Sequence, residues 1–393
     1  MPFFQRPNII SDAVFDPVVI SGKPLKTYFN ERGLKFGVQF EADRTSLWGV
    51  NSPPVAPNTT HYRAIQSWVK YHCDIYIDGN WIAWSRIEPS SGSYDYDLGD
   101  KHFNAMQAMG LECVHGGFLV VDAPAWTNGF TQAQMKAAIE DRCQRMINRY
   151  TGIKHWTVVN EVIQPNSWGD GLPLPSPNNV TGATAMRPWN TRTIAGADWV
   201  EWAFKAAQTA TATTSQHTLV FQDHTQALIA NPDFMSNTLN FLDYLINTKG
   251  CRIDEYSYQA HMNPNGWNMG GWSLSNATAA GNKLAEFLNL VAQRVPRVTI
   301  CEFDMTCIDL PFAEVPQKAA DWAQAFLTPV FRDVSALKHF ICWSTDDGKS
   351  WLNQYAPRTD DNPITGSNLM NSLYQWNPLK DGILNALSAR PLV

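Results

Sequence analysis

The sequence predicts an α/β protein folded as a single (β/α)8 barrel of the TIM type, and three observations predict it. Eight short strand-like runs alternate with helix-length stretches along 393 residues, a one-domain length for this architecture. No low-complexity linker or internal repeat interrupts the alternation. Two of the runs, carrying Val158–Val159 and Val298–Ile300, close on a glutamate, Glu161 and Glu302. A carboxylate just after a β-branched run stands at a strand's C-terminal end, where such a barrel keeps its chemistry.

Taken in order, the strand candidates are Leu34–Phe40, Asp74–Ile77, Cys113–Val121, His155–Asn160, Thr218–Gln222, Ser257–His261, Arg297–Glu302 and His339–Trp343. Helical stretches lie between them: Lys101–Met109, Thr131–Tyr150, Ala197–Thr211, Pro232–Thr248, Thr278–Arg294 and Gln317–Val330. The Thr131 stretch carries a start signal, a threonine followed three positions later by Gln134, and its apolar residues recur at helical spacing. The Pro/Asn/Gly-rich piece Gln164–Arg187 reads as a long active-site loop, because periodic structure resumes soon after it. Residues 1–33 read as an N-terminal extension packing on the barrel, so that 1–393 form one domain.

Composition narrows the function. A hydrophobic content of 44% fills a full core, and a net charge of −6 argues against nucleic acid as a partner. Aromatic residues are abundant, with 16 Trp, 12 Tyr and 19 Phe; most serve packing, but flat, rigid indole faces also suit stacking on sugar rings. The seven cysteines show no metal-binding spacing, so neither metal nor cofactor is expected. Cys301 and Cys307 are open to two readings, a short bridge beside Glu302 or free buried thiols. The first residues lack the pattern of a signal peptide, and no apolar run is long enough to span a bilayer, so no membrane partner is expected.

Two glutamates from different strands are what cleavage of a glycosidic bond requires. One donates a proton to the leaving oxygen while the other attacks the anomeric carbon. For retention of configuration the two carboxyls must lie about 5–5.5 Å apart. A lone buried glutamate is more often an ion-pair or capping partner; the paired context favours catalysis.

Trp156-Thr157-Val158-Val159-Asn160-Glu161 and Cys301-Glu302-Phe303-Asp304 resemble the Trp-Asp-Val-Val-Asn-Glu and Thr-Glu-Leu-Asp strands of glycoside hydrolase family 10, the retaining endo-β-1,4-xylanases, and the resemblance runs nearly from end to end. Gln259-Ala260-His261 stands for its Gln-x-His, and Trp343-Ser344-Thr345-Asp346-Asp347-Gly348-Lys349-Ser350-Trp351 for its Trp-Gly-x-x-Asp-x-x-Ser-Trp. Upstream, Trp84-Ser85-Arg86-Ile87-Glu88-Pro89 and Gly92-Ser93-Tyr94-Asp95-Tyr96 resemble its Lys-Trp-x-x-Ile-Glu-Pro and Gly-x-Phe-x-Phe element.

The resemblance implies Glu302 as nucleophile and Glu161 as acid/base. His261 would donate to Glu302 and be oriented by Asp304. Asn160 would hold the 2-hydroxyl of the sugar, and Gln259 would contact the acid/base or a water near it. Trp343 would form the floor under the −1 sugar. Asn80, Trp84, Asp122, Trp126, Trp351 and Trp267 complete the expected substrate contacts, with Trp168 and Trp272 as further stacking candidates.

Departures accompany the match. Ala83 stands where the family has a sugar-gripping lysine, and Gly79 where it has a glutamate. The family's Gly-His-Thr-Leu-Val-Trp-His becomes Gly116-Gly117-Phe118-Leu119-Val120-Val121-Asp122, without either histidine or the tryptophan. Losing donors to a substrate hydroxyl costs several powers of ten in discrimination. The expectation is therefore a monomeric enzyme acting on a polysaccharide or oligosaccharide. Its substrate would be a β-linked glycan whose −1 sugar carries a larger substituent, or xylan cleaved weakly. A transglycosylase with the same covalent intermediate and a non-hydrolytic carbohydrate binder are the alternatives. Because polymeric glycans are met outside the cytoplasm, an extracellular or periplasmic location with a trimmed leader is the working expectation.

Overall fold

A computed structural model describes residues 22–40, 60–78, 81–114, 118–121, 123–165, 172–173, 184–186, 190–212, 216–224, 232–266, 269–347, 350–355, 366–371, 373 and 375–393. Eight strands run parallel around one barrel: β1 (Lys35–Phe40), β2 (Ile75–Asp78), β3 (Glu112–Cys113), β4 (His155–Asn160), β5 (Thr218–His224), β6 (Glu255–Met262), β7 (Arg297–Met305) and β8 (Leu337–Cys342). Each pairs with its sequence neighbour, and β1 pairs with β8 in register Lys35↔His339 through Val38↔Cys342. Between β3 and β4 the ring closes by two backbone bonds, Leu119 N–H to the Thr157 carbonyl (2.9 Å) and Val120 N–H to the Val158 carbonyl (3.1 Å).

Helices cover the outside because each carries one apolar stripe. The helix Gln132–Arg149 starts with the expected capping box between Thr131 and Gln134, and buries Met135, Ile139, Cys143, Met146 and Ile147. Helix Leu274–Val291 and helix Leu379–Leu387 both press on the long helix Val315–Asp333. At these contacts Gly281 faces the Phe326 carbonyl and Gly382 the Ala320 carbonyl so closely that a Cβ would strike the backbone. Of the N-terminal extension, the short helix Leu25–Asn30 buries Leu25 and Phe29, with Phe29 stacked on Phe36 and Phe340; residues 1–21 lie outside the described set.

Several boundaries differ from the sequence reading for physical reasons. Strand β7 runs past Glu302 to Met305, because a bulge absorbs one extra residue there. The segment read as a loop, Gln164–Arg187, contributes to a small antiparallel sheet of Ile163–Pro165, Thr184–Met186 and Leu172–Pro173. Its prolines disguised it, yet Ile163 and Met186 are fully buried and short edge strands tolerate proline. Helices Thr60–His72 and Leu379–Leu387 were not anticipated. All seven cysteines are free and buried, which resolves the Cys301/Cys307 question in favour of thiols. No helix among the described residues is long and apolar enough to cross a membrane.

Candidate active site

The C-terminal mouth of the barrel is built on two backbone irregularities. Among the described residues, Glu161 (φ 50°) and Glu302 (φ 55°) are the two non-glycine residues with left-handed backbone. That conformation costs a residue with a Cβ about 1–2 kcal/mol, so the surrounding structure must impose it. At Glu302 the bulge does so. Cys301↔Gln259 is followed by Asp304↔His261 on one side, and Ile300↔Phe340 by Phe303↔Cys342 on the other. At Glu161 the chain leaves β4, its N–H bonded to the Gln222 carbonyl at 3.1 Å.

Glu302 is held by three donors. Its Oε1 accepts from Gln222 Nε2 (2.6 Å) and Gln259 Nε2 (3.0 Å), and its Oε2 lies 3.0 Å from His261 Nε2. The other ring nitrogen, Nδ1, is 2.8 Å from Asp304 Oδ1, while Trp351 Nε1 donates to Asp304 Oδ2. With a carboxylate oxygen at each nitrogen, the ring must donate twice, which makes it an imidazolium. Burial alone would depress its pKa, but the charge and bond of Asp304, then those of Glu302, override it and hold the value near 10. Burial also pushes the Glu302 carboxyl above its ordinary 4.5, against the bond and charge of His261; the Glu161 carboxylate adds a smaller upward push.

The structure places the predicted residues differently from one another. Asn160, Gln259, His261, Glu302 and Asp304 come together as one hydrogen-bonded set, in which Gln259 Nε2 also reaches Asn160 Oδ1 at 2.9 Å. Gln259, expected to reach the acid/base or its water, thus turns its amide to Glu302 and Asn160. Trp343 and Trp351 meet the His261 ring edge-on, at 6.1 and 5.0 Å between centroids. Trp84 and Trp126 instead pack on each other and bond Glu88, through its side chain (3.0 Å) and its carbonyl (2.8 Å). With 3% of its surface exposed, Trp84 offers little face to a sugar. Trp272 donates to Asp309 Oδ2 at 2.9 Å. Asn80, Asp122, Trp168 and Trp267 lie outside the described residues.

Sequence reasoning missed Gln222, the shortest contact of Glu302. Its only signal is a polar residue closing the apolar run Leu219-Val220-Phe221 at a barrel strand's C-terminal end.

One group of described residues has metal-ligand spacing: His155, Glu255 and His339, whose ligand atoms lie within 4.8 Å of one another. It sits at the opposite, N-terminal floor of the barrel. Arg297 already occupies it, donating to Glu255 Oε2 (2.8 Å) and lying 3.3 Å from His339 Nε2. A guanidinium among the donor atoms does not fit a dication.

A parallel eight-stranded barrel with two carboxylates at its C-terminal mouth is one architecture that glycoside hydrolases use. The chain belongs to glycosyl hydrolase family 10, whose sequence model matches residues 25–386. It is 25% identical over 317 residues to endo-1,4-beta-xylanase A of Fusarium oxysporum f. sp. lycopersici, covering 79% of this chain and 86% of that protein. To endo-1,4-beta-xylanase B of Neocallimastix patriciarum it is 24% identical over 319 residues, covering 78% of this chain and 31% of that longer protein. In fold it superposes on endo-1,4-beta-xylanase XylE of Penicillium canescens with a TM-score of 0.72 at 18% identity, covering 94% of this chain and 98% of that one.

Proposed function

We propose that this protein is a retaining hydrolase of β-1,4-linked glycans, working by double displacement with Glu302 and Glu161. One observation carries the reading. The two glutamates predicted from sequence are the two described non-glycine residues held in left-handed backbone, and strain of that kind concentrates where geometry serves function.

Glu302 attacks the anomeric carbon as the glycosidic C–O bond breaks, and Glu161 gives its proton to the departing oxygen. Glu161 then takes a proton from water, which displaces the Glu302 carboxylate and regenerates both groups. A carboxylate has about four lone-pair sites. Gln222 and Gln259 occupy Oε1 and His261 takes one on Oε2, which leaves Oε2 as the attacking atom. These donors and the His261 charge favour ionised Glu302 against its burial.

The substrate is a xylan or a related β-1,4-glycan whose −1 sugar suits a wall without the family's lysine and histidines. Ala83 and the Gly116–Asp122 segment support that reading. The test is oligosaccharide release from xylans, glucans, mannan and acidic polysaccharides by wild type, Glu302→Gln and Glu161→Gln. One glycan should be cleaved, its first product in the β configuration by NMR, and each substitution should cut release by a factor on the order of 10² or more. Release that survives Glu302→Gln, or none from the whole panel by folded protein, overturns the reading.

A further inference from the structure

The two left-handed glutamates are not held alike. Glu302 lies inside β7, with ladders to β6 and β8 resuming on either side, so the sheet itself imposes its backbone. Glu161 has ladder on one side only. Beyond it the chain turns within two residues from β4 into the strand Ile163–Pro165. Two bonds clamp that turn. Glu161 N–H goes to the Gln222 carbonyl at 3.1 Å, and Ile163 N–H to the Asp223 side chain, Oδ2, at 3.0 Å. Asp223 is fully buried, and its other oxygen accepts from His224 N–H at 2.8 Å. Gln222 and Asp223 are consecutive on one strand, so their side chains leave on opposite faces. The first reaches Glu302 and the second anchors the segment that carries Glu161.

We propose that Asp223 is a positioning residue for Glu161: its carboxylate fixes the Ile163 amide and thereby holds Glu161 in left-handed backbone with its carboxyl aimed at the leaving oxygen. This rests on the reading of Glu161 as the proton donor. The physical reason is that a strained turn anchored at one end relaxes into an ordinary conformation, whereas one anchored at both ends cannot. A shift of the carboxyl by about 1 Å is enough to cost two orders of magnitude in rate.

The experiment exploits leaving groups, because an aryl oxide that departs unaided has no use for a proton donor. In the full chain, Asp223→Asn, Asp223→Ala and Glu161→Ala are compared with wild type on phenyl and 2,4-dinitrophenyl β-xylobioside, with the matching β-cellobiosides alongside. For both Asp223 variants kcat/KM should fall on the order of 10²-fold on the phenyl glycosides and less than about threefold on the dinitrophenyl ones. Azide should restore their kcat on the latter by capturing the glycosyl-enzyme. An equal loss on both leaving groups, or no loss on either, overturns the proposal. If Glu161→Ala itself shows no dependence on leaving group, the proton-donor reading has failed instead. The crystal structure of Asp223→Asn then decides the backbone claim, as it does if wild type turns over neither series. Glu161 should leave positive φ, and an unchanged Glu161 overturns the proposal.

Discussion

Each end of the barrel holds a histidine between two carboxylates, and the two ends treat it differently. At the mouth, His261 bridges Glu302 and Asp304, and the other bonds to these carboxylates come from amides and an indole: Gln222, Gln259 and Trp351. At the floor, His155 lies between Glu112 (3.4 Å) and Glu255 (3.7 Å), and there strong cations join in: Lys35 on Glu112 and Arg297 on Glu255. Burial pulls the His155 pKa down, and the two glutamates beside it more than reverse this. Permanent cations at the floor neutralise their carboxylates and make them structural. At the mouth the two carboxylates share one cation, His261, and are otherwise oriented by neutral donors, which leaves negative charge for the nucleophile role proposed for Glu302.

That contrast breaks or sharpens by substitution. The largest effect belongs to the floor. Glu255→Ala strands Arg297 in the barrel and should cost about 3–5 kcal/mol in chemical denaturation, while activity per folded molecule stays near wild type. Lost activity at preserved stability would mean that the floor is functional after all. Next comes the mouth. His261→Gln should lower kcat/KM on the order of 10²–10³-fold, a loss larger than its stability change accounts for.

Proton linkage separates the ends next. The raised His155 pKa contributes stability that is complete below its ordinary 6.5 and fades as pH climbs through the folded value. Glu112 is held down to about 2, chiefly by the neighbouring His155 and then by Lys35, so its contribution is complete above 4.5 and fades as pH falls toward 2. Glu112→Gln should therefore flatten both flanks of the Tm–pH curve. His261 stays charged to about 10, so an alkaline activity limb below that pH must come from another group and survive in Glu112→Gln. The smallest effect tests the strained backbone. Glycine at 161 should be more stable than alanine there by about 1 kcal/mol, the reverse of the usual order. The usual order would mean that Glu161 carries no strain.

The sequence announced the mouth far better than the floor. The string around Glu161, the string around Glu302 and the Gln259–His261 pair are local, and each shows its carboxylate, amide or imidazole beside the strand that presents it. Gln222 escaped because a polar residue closing an apolar run is a weak signal that does not name its target; its distance to Glu302 does. The floor escaped for a different reason. Glu112, His155, Glu255, Arg297 and His339 are far apart in the chain, and barrel closure alone makes them neighbours. Elements followed the same divide. The capping box at Thr131 was readable within four residues, whereas the bulge at Glu302 exists only through the register of β6 and β8 beside it.

The seven buried thiols carry a consequence for how the molecule fails. Burial raises the pKa of Cys143 to about 12 and of Cys251 to about 11, and lifts Cys73, Cys301 and Cys342 as well. Thiolate is the reactive form, so these groups are inert while the protein is intact. Unfolding releases all of them at once into water, where aerial oxidation links them in arbitrary pairs. Heating in air should then be a one-way event set by the rate of opening, and the same scan under reductant a reversible one.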